Sequence, residues 1–294
     1  MRILVTGRTG QVVSSLMEKA ASLPNIRLLT FGRPEFDLAD ATSVLRGIVS
    51  ARPDLVISAA AYTAVDRAED EPDTAYAVNA IGAGAVAEAA ARIGAPIIHL
   101  STDYVFSGDD SGPYHEDSTP APKSIYGLTK LEGERAVARL NPQHVIIRTS
   151  WVYSPFGSNF VKTMLRLAES RASLQVVADQ WGSPTSALDI ADALLLMSAR
   201  LNEHRYGIYH LTGGGSTNWS GFARHIFGLS RAYGGPHADV LDIPAAEYPS
   251  KVRRPVNSCL SSDKFDETFG WRPPDWRRST ETVVRRLVLE RCKV

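Results

Sequence analysis

Tyr126 and Lys130 lie four residues apart in Ser124-Ile-Tyr-Gly-Leu-Thr-Lys130. If this stretch is helical, both side chains share one face, roughly 6 Å apart. A phenol has a reference pKa of about 10, and a neighbouring ammonium favours the phenolate and lowers that value. The two residues could therefore move a proton. Tyr-x-x-x-Lys alone is weak, because many helices carry such a pair by chance. Two other stretches give it meaning. The apolar run Pro96-Ile-Ile-His-Leu100 ends in Ser101-Thr-Asp-Tyr104. That places Thr102 as a hydroxyl donor to a substrate oxygen, and Asp103 as an acceptor for a polyol. Gly7-Arg-Thr-Gly10 stands between a strand-like Arg2–Thr6 and a helix-like Gln11–Ala20. Glycines let the backbone approach a phosphate, and a helix N-terminus offers unpaired N–H groups. The plainer alternative is an ordinary turn between strand and helix. The third small position of a dinucleotide fingerprint, where helix meets strand, is filled by Val13.

The elements that must position these groups follow one another as strand and helix. Strands are predicted at 2–6, 26–31, 55–58, 96–100 and 145–149, with helices near 11–20, from Thr42, from Val78 to about Ile93, and from Tyr126 to about Leu140. This alternation predicts an α/β fold, a Rossmann-type doubly wound parallel sheet with ligands at the carboxyl ends of its strands. The second strand ends in Phe31-Gly-Arg33 with no acid for a ribose 2′-hydroxyl. Arg33 could instead meet a 2′-phosphate, favouring NADPH or dual use over strict NADH, or it is a solvated surface arginine. Asp37 and Leu38 follow in a loop, where Asp37 either receives an adenine amino group or caps the next helix. Ala59, Ala60, Ala61, Tyr62 and Thr63 follow the third strand, and their small side chains would let a cofactor lie flat across the sheet edge. Asn79 bridges backbone near the site or lies at the surface. The acidic run from Asp66 to Asp73 reads as solvated surface.

The second half reads as a smaller substrate-binding α/β lobe built from non-contiguous pieces. Residues 1–150 form the dinucleotide half, with about 186–229 returning to it; 151–185 and about 230–294 form mainly the lobe. Trp151 is placed to stack on a sugar face, or is core. The loop 179–185 could close over a nucleotide. Gly213-Gly-Gly215 is read as a turn. The Arg253–Arg254 pair meets a diphosphate or pairs with surface carboxylates.

Lys plus Arg equals Asp plus Glu at 32 each, so no net charge draws the chain to nucleic acid or a membrane. Cys259 and Cys292, the only cysteines, make neither a disulfide framework nor a metal cluster and suit a reducing cytoplasm. No apolar run reaches a span of ~20 residues, and the chain opens on a strand-like run without a basic-then-apolar segment. A cytoplasmic protein is expected.

Taken together, the chain resembles the short-chain dehydrogenase/reductase superfamily in its extended form, and within it the dTDP-4-dehydrorhamnose reductase family. The resemblance spans nearly the whole chain. It rests on Gly7-Arg-Thr-Gly-Gln-Val12, Ala59-Ala-Ala-Tyr-Thr-Ala-Val-Asp66, Ser101-Thr-Asp-Tyr-Val-Phe106, Tyr126-Gly-Leu-Thr-Lys-Leu-Glu-Gly133, Arg148-Thr-Ser-Trp-Val-Tyr153 and Asp179-Gln-Trp-Gly-Ser-Pro-Thr185. It implies reduction of dTDP-4-dehydrorhamnose by NADPH or NADH, with Thr102, Tyr126 and Lys130 as catalytic trio. Gly7, Gly10, Gln11 and Val12 would hold the pyrophosphate, Asp37 and Leu38 the adenine, and Ala61, Tyr62 and Thr63 would line the cofactor. Thr102, Asp103 and Trp151 would contact the deoxysugar, and Arg254 would serve in a substrate-lobe loop. The resemblance admits a magnesium ion at a dimer contact, and a monomer or homodimer. Val13 and the missing acid after the second strand depart from the family pattern and touch cofactor preference. A nucleotide-sugar epimerase, a reductase making another 6-deoxyhexose, or a non-catalytic nucleotide-binding subunit are the alternatives.

Overall fold

Six short strands share one parallel sheet in this computed structural model, which describes residues 1–291, with side chains through Glu290; Cys292 lies outside the described residues. In chain order the first half runs β1 (Arg2–Thr6), α1 (Gln11–Ala20), β2 (Arg27–Phe31), α2 (Ala41–Ala51) and β3 (Leu55–Ser58). It continues with α3 (Ala83–Arg92), β4 (Ile97–Thr102), α4 (Ile125–Leu140) and β5 (His144–Thr149). The second half contains β6 (Val152–Tyr153), α5 (Phe160–Leu167), β7 (Ser173–Val177), β8 (Trp181–Gly182), β9 (Thr185–Ser186) and α6 (Ala187–Ser198). It ends with β10 (Gly207–His210), β11 (Thr217–Asn218), α7 (Trp219–Ala232), β12 (Asp239–Ile243), β13 (Asn257–Ser258), α8 (Asp263–Phe269) and α9 (Trp276–Arg291). The sheet order is β2-β1-β3-β4-β5-β10, every pair parallel. The order reverses between β1 and β3, where such sheets open a crevice for ligands.

Central parallel strands are covered on both faces and so are apolar throughout. Ile3, Leu4 and Val5 of β1 and Val56 and Ile57 of β3 are fully buried. One face is covered by α1 through Val13 and Leu16, by α6 through Ile190 and Leu194, and by α8 through Phe265 and Phe269. The other is covered by α2 through Val44 and Ile48, by α3 through Val86 and Ala90, and by α4 through Val137. A second core joins α5, β7, α7 and α9, with Tyr153, Leu165, Phe222, Trp276 and Val284 inside it. The stretch 186–229 therefore divides: α6 and β10 pack with the large sheet, while α7 packs in the second core. The segment after 230 divides too, since α8 returns to the large sheet.

Two local expectations are corrected. The helix expected from Val78 begins earlier, at Pro72, and passes through π geometry over Ala77–Gly82 before α3. Proline suits a first helical turn because its missing N–H is unsatisfied there anyway. Asp40, not Asp37, caps α2 by accepting from Thr42 N at 2.9 Å. Asp37 instead closes its own turn through Ala39 N. No helix among the described residues is long and apolar enough to cross a membrane.

α4 lies against its neighbours at backbone distance. A Cβ on Gly127 would stand 2.2 Å from Tyr104 O, and one on Gly133 would stand 2.1 Å from Asn79 O. These approaches seat Tyr126 and Lys130 beside the end of β4. Gly133→Ala gains about 1 kcal/mol of helix propensity, but its methyl collides with backbone that cannot swing aside. A net loss of about 1–3 kcal/mol is expected from urea denaturation; an unchanged midpoint would show that α4 can shift outward at no cost.

Candidate active site

The reactive groups converge at the carboxyl end of β4. Thr102 is buried; its Oγ1 donates to Asp103 Oδ1 at 2.9 Å and accepts from Tyr104 N at 3.2 Å. Tyr126 is the second residue of α4, whose start is fixed by Ser124 Oγ accepting from Gly127 N at 3.1 Å. The Tyr104 ring meets the Tyr126 ring edge-on at 5.5 Å. Burial pushes the Tyr126 phenol up to about 12; a hydrogen bond with Thr102 opposes this, and the Asp103 carboxylate adds to it. The phenol thus keeps its proton at neutral pH.

Lys130 differs from the simple reading of the Tyr–Lys pair. Its side chain is 2% exposed, and Nζ donates to Leu100 O at 2.6 Å and lies 3.3 Å from His99 Nε2. No hydrogen bond joins it to Tyr126 among the described residues. Burial pulls the Lys130 amine down to about 8, opposed by the Glu134 carboxylate one turn on. The expected lowering of the phenol by Lys130 is therefore absent, because desolvation dominates both groups. Behind Lys130, His99 Nδ1 meets Ser58 Oγ at 3.1 Å, and burial holds His99 well below its usual range. Glu134 is held by a buried two-point pair with Arg148, at 3.0 Å to Nε and 2.7 Å to the terminal nitrogen. Sequence reading missed His99, Ser58, Glu134 and Arg148. The available signal was polar side chains inside apolar strands, as in Ile97-Ile-His-Leu100.

On the dinucleotide side, Gly7 has φ +103 and a Cβ on Gly10 would meet nothing within 4 Å. No side chain caps α1, so its first N–H groups face open space at Gly10. Val13 is buried, with a methyl 3.2 Å from where a Gly7 Cβ would stand; it fills the turn from beneath. Val12 packs beside it, partly buried. Ala59 N and Ala60 N both donate to Thr6 Oγ1, at 3.0 and 2.9 Å. Asn79 is buried and clamps the next residues: Oδ1 accepts from Tyr62 N at 2.8 Å and Nδ2 donates to Tyr62 O at 3.1 Å. Ala61 is partly buried and Thr63 exposed. Leu38 is buried, and Arg33 is exposed at the end of β2, near an Arg8–Glu35 ion pair of 2.6 Å. The Gln11 side chain turns away from the open end of α1, toward Val152, Ser154 and Asn159. These features fit a dinucleotide: free N–H groups for a pyrophosphate, then a flat strip of small residues beyond β3.

On the lobe side, Trp151 has a left-handed backbone, φ +48, and its ring stacks on Trp219 with centroids 3.5 Å apart and planes within 7°. A Cβ on Gly182 would stand 2.4 Å from that ring. Such a conformation is uncommon for a bulky residue and marks a held position. Asp103 Oδ2 is buried without a hydrogen-bond partner. Burial raises the carboxyl from its ordinary 3.8 to about 6, opposed by bonds with Ser258 and Thr102. Arg254 donates to Asp66 Oδ2 at 2.9 Å, and its Nε is buried without a partner. The acidic run is more than solvated surface. Asp66 and Asp70 hold Arg254 and Lys251, and Glu69 accepts from Ile125 N at the start of α4. Gly213 and Gly214 form a turn, donating to Thr185 Oγ1 and Pro274 O. A cavity of about 620 Å³ lies beside β8, lined by Trp181, Ser183 and Cys259, but it contains none of Thr102, Tyr126 or Lys130. Among the described residues, no group of three or more His, Cys, Asp or Glu could hold a metal ion.

Residues 1–289 match the family model described as the RmlD substrate binding domain. The chain is 51% identical to a dTDP-4-dehydrorhamnose reductase of Sinorhizobium fredii over 294 residues, covering 99% of each chain. A crystal structure of a dTDP-4-dehydrorhamnose reductase from Clostridium acetobutylicum superposes with TM-score 0.92 at 36% identity, covering 98% of this chain and 99% of that one. One from Bacillus anthracis, in complex with NADP, superposes with TM-score 0.89 at 36% identity, covering 96% and 98%.

Asp103 gives the apo site a pH signature. Its folded pKa is raised, so between about pH 4 and 6 the folded state binds more proton than the unfolded one, and stability falls as pH rises through that window. Wild type should lose about 2 kcal/mol between pH 4 and 6 relative to Asp103→Asn. Parallel pH dependences in chemical denaturation would remove Asp103 as the cause.

Proposed function

The chain belongs to the dTDP-4-dehydrorhamnose reductase family, and on that footing we propose that it reduces the C4 ketone of dTDP-4-dehydro-beta-L-rhamnose to dTDP-L-rhamnose, with NAD(P)H as reductant. The observation that carries this reading is the placement of Tyr126, its ring 5.5 Å from that of Tyr104, beside the Thr102 end of β4 where such sheets bind ligands.

The dihydronicotinamide, when bound, supplies the hydride. The start of α1 at Gly10, Gln11 and Val12 would hold the pyrophosphate through backbone N–H groups. Ala59, Ala60, Ala61, Tyr62 and Thr63 would carry the nicotinamide half across the sheet edge, with Asn79 keeping that strip in place. Asp37 and Leu38 would face the adenine.

Tyr126 donates its proton to the oxygen that develops negative charge at C4, and Thr102 holds the same oxygen. Lys130 adds positive charge and a donor for the nicotinamide ribose. Its depressed pKa leaves it still largely charged at neutral pH. Asp103, with one carboxyl oxygen unpartnered, accepts from a sugar hydroxyl. Trp151, whose faces are covered by Trp219 and Gly182, would contact the deoxysugar through its ring edge. Arg254 would share its guanidinium between Asp66 and the substrate diphosphate. Residues of the large sheet thus serve the cofactor, while β6, α5, α7 and the 250–258 segment serve the sugar nucleotide.

Generating the ketosugar in situ and following cofactor oxidation, with the product stereocentre read by NMR, tests the reaction. No turnover with either cofactor would defeat it. Tyr126→Phe should lose about 10²–10⁴ in kcat while binding cofactor as before; unchanged turnover would remove Tyr126 as the acid. No acid ends β2, so we assign Arg33 to a 2′-phosphate and expect NADPH to be preferred. Arg33→Ala should then raise the KM for NADPH well above any change in the KM for NADH, and equal changes would refute the assignment.

A further inference from the structure

Gln11 is the first residue of α1, so its backbone N–H belongs to the group that faces a pyrophosphate, yet its side chain serves the other lobe. Its Oε1 accepts from Ser154 Oγ and from Asn159 Nδ2, both at 2.9 Å, and its Nε2 donates to Val152 O at 3.3 Å. The turn it grips is knit to itself: Asn159 Nδ2 also donates to Ser154 O at 2.9 Å and Phe156 O at 3.2 Å. Asn159 Oδ1 caps α5 by accepting from Lys162 N at 3.1 Å. Gly157, with φ +61, brings this turn against Gln11 Cγ.

Both ends of the gripped segment lead to the aromatic platform. Val152 directly follows Trp151. Phe160 directly follows Asn159, and its ring lies 4.7 Å from Trp219, which stacks on Trp151. One amide side chain therefore spans the start of α1 and both supports of the sugar-facing tryptophan. We propose that Gln11 is a positioning residue that fixes the Trp151–Trp219 platform relative to the pyrophosphate site, so that cofactor bound at the start of α1 raises the affinity for the nucleotide-sugar. This rests on the function proposed above. A purely structural role would make the same hydrogen bonds but would leave the two ligands independent.

The readout is the dissociation constant of dTDP-L-rhamnose, titrated with and without saturating NADPH, a pair that cannot react because both are reduced. In the wild type, NADPH should tighten the sugar nucleotide at least about fivefold, within the usual range of coupling between sites. Gln11→Met keeps the length and the backbone N–H but loses all three hydrogen bonds. At saturating NADPH it should bind the sugar nucleotide more weakly than wild type, and show no tightening. Asn159→Asp keeps the α5 cap and removes the amide donor to Gln11 together with its bonds to Ser154 O and Phe156 O; it should behave alike, and it stands in if the methionine variant does not fold. Tightening retained in both variants overturns the proposal. A wild type without tightening overturns it while leaving the proposed reaction intact. A wild type that binds no dTDP-L-rhamnose in either state overturns the substrate assignment, and this inference with it.

Discussion

The site depends on how closely α4 can approach the polypeptide beneath it. Gly127 and Gly133 remove the only atoms that would hold the helix off Tyr104 O and Asn79 O. Because the helix sits so low, Lys130 is buried and Tyr126 half-buried, and lost hydration is the largest influence on both. The same process moves them in opposite charge directions: the phenol keeps its proton more firmly, while the amine holds its proton less firmly. Close packing, rather than the charge of a neighbour, thus sets the protonation of Tyr126.

Burying a lysine is costly, and the surroundings show how the cost is offset. The ammonium has a carbonyl acceptor in Leu100 O and an imidazole nitrogen in His99. The Glu134 carboxylate supports it from one turn away and is itself neutralised by Arg148. A buried pair of this kind adds little net stability, but losing one partner strands a charge and costs about 3–5 kcal/mol. The row Arg148–Glu134–Lys130 therefore works as a unit, and its members tolerate replacement only together.

The parts of this arrangement that are periodic or local could be read from the residues alone. Strand–helix alternation gave the sheet, Gly7–Gly10 lay at the expected turn between β1 and α1, and Ser101-Thr-Asp-Tyr104 lay where a strand end was expected. What stayed hidden depends on pairing between distant segments. Nothing in Asp66–Asp73 announces that it will hold Arg254 and Lys251, more than 180 residues on. His99 looked like a strand residue because its partner Lys130 arrives from a different element. The Lys130 contribution was misjudged since spacing on a helix says which side chains share a face, but not how much water reaches them. The division of 186–229 was equally invisible, because an apolar helix such as α6 and an amphipathic one such as α7 each call for a core without saying which.

The second core has a wall that comes from the very end of the chain. Tyr153, beside the catalytic cleft, directs its hydroxyl to Trp276 O and Thr280 Oγ1 of α9, and Phe222 and Tyr153 pack together beneath Trp276. The large sheet, by contrast, has five of its six strands by Thr149. On a ribosome the dinucleotide half can acquire most of its contacts while the lobe is still being made, but the sugar platform has no complete support until α9 has emerged. Domains that draw on late, distant segments form slowly because the connecting chain must be closed first. A nascent chain of this protein therefore has a period in which it has built most of the large sheet and not yet the second core.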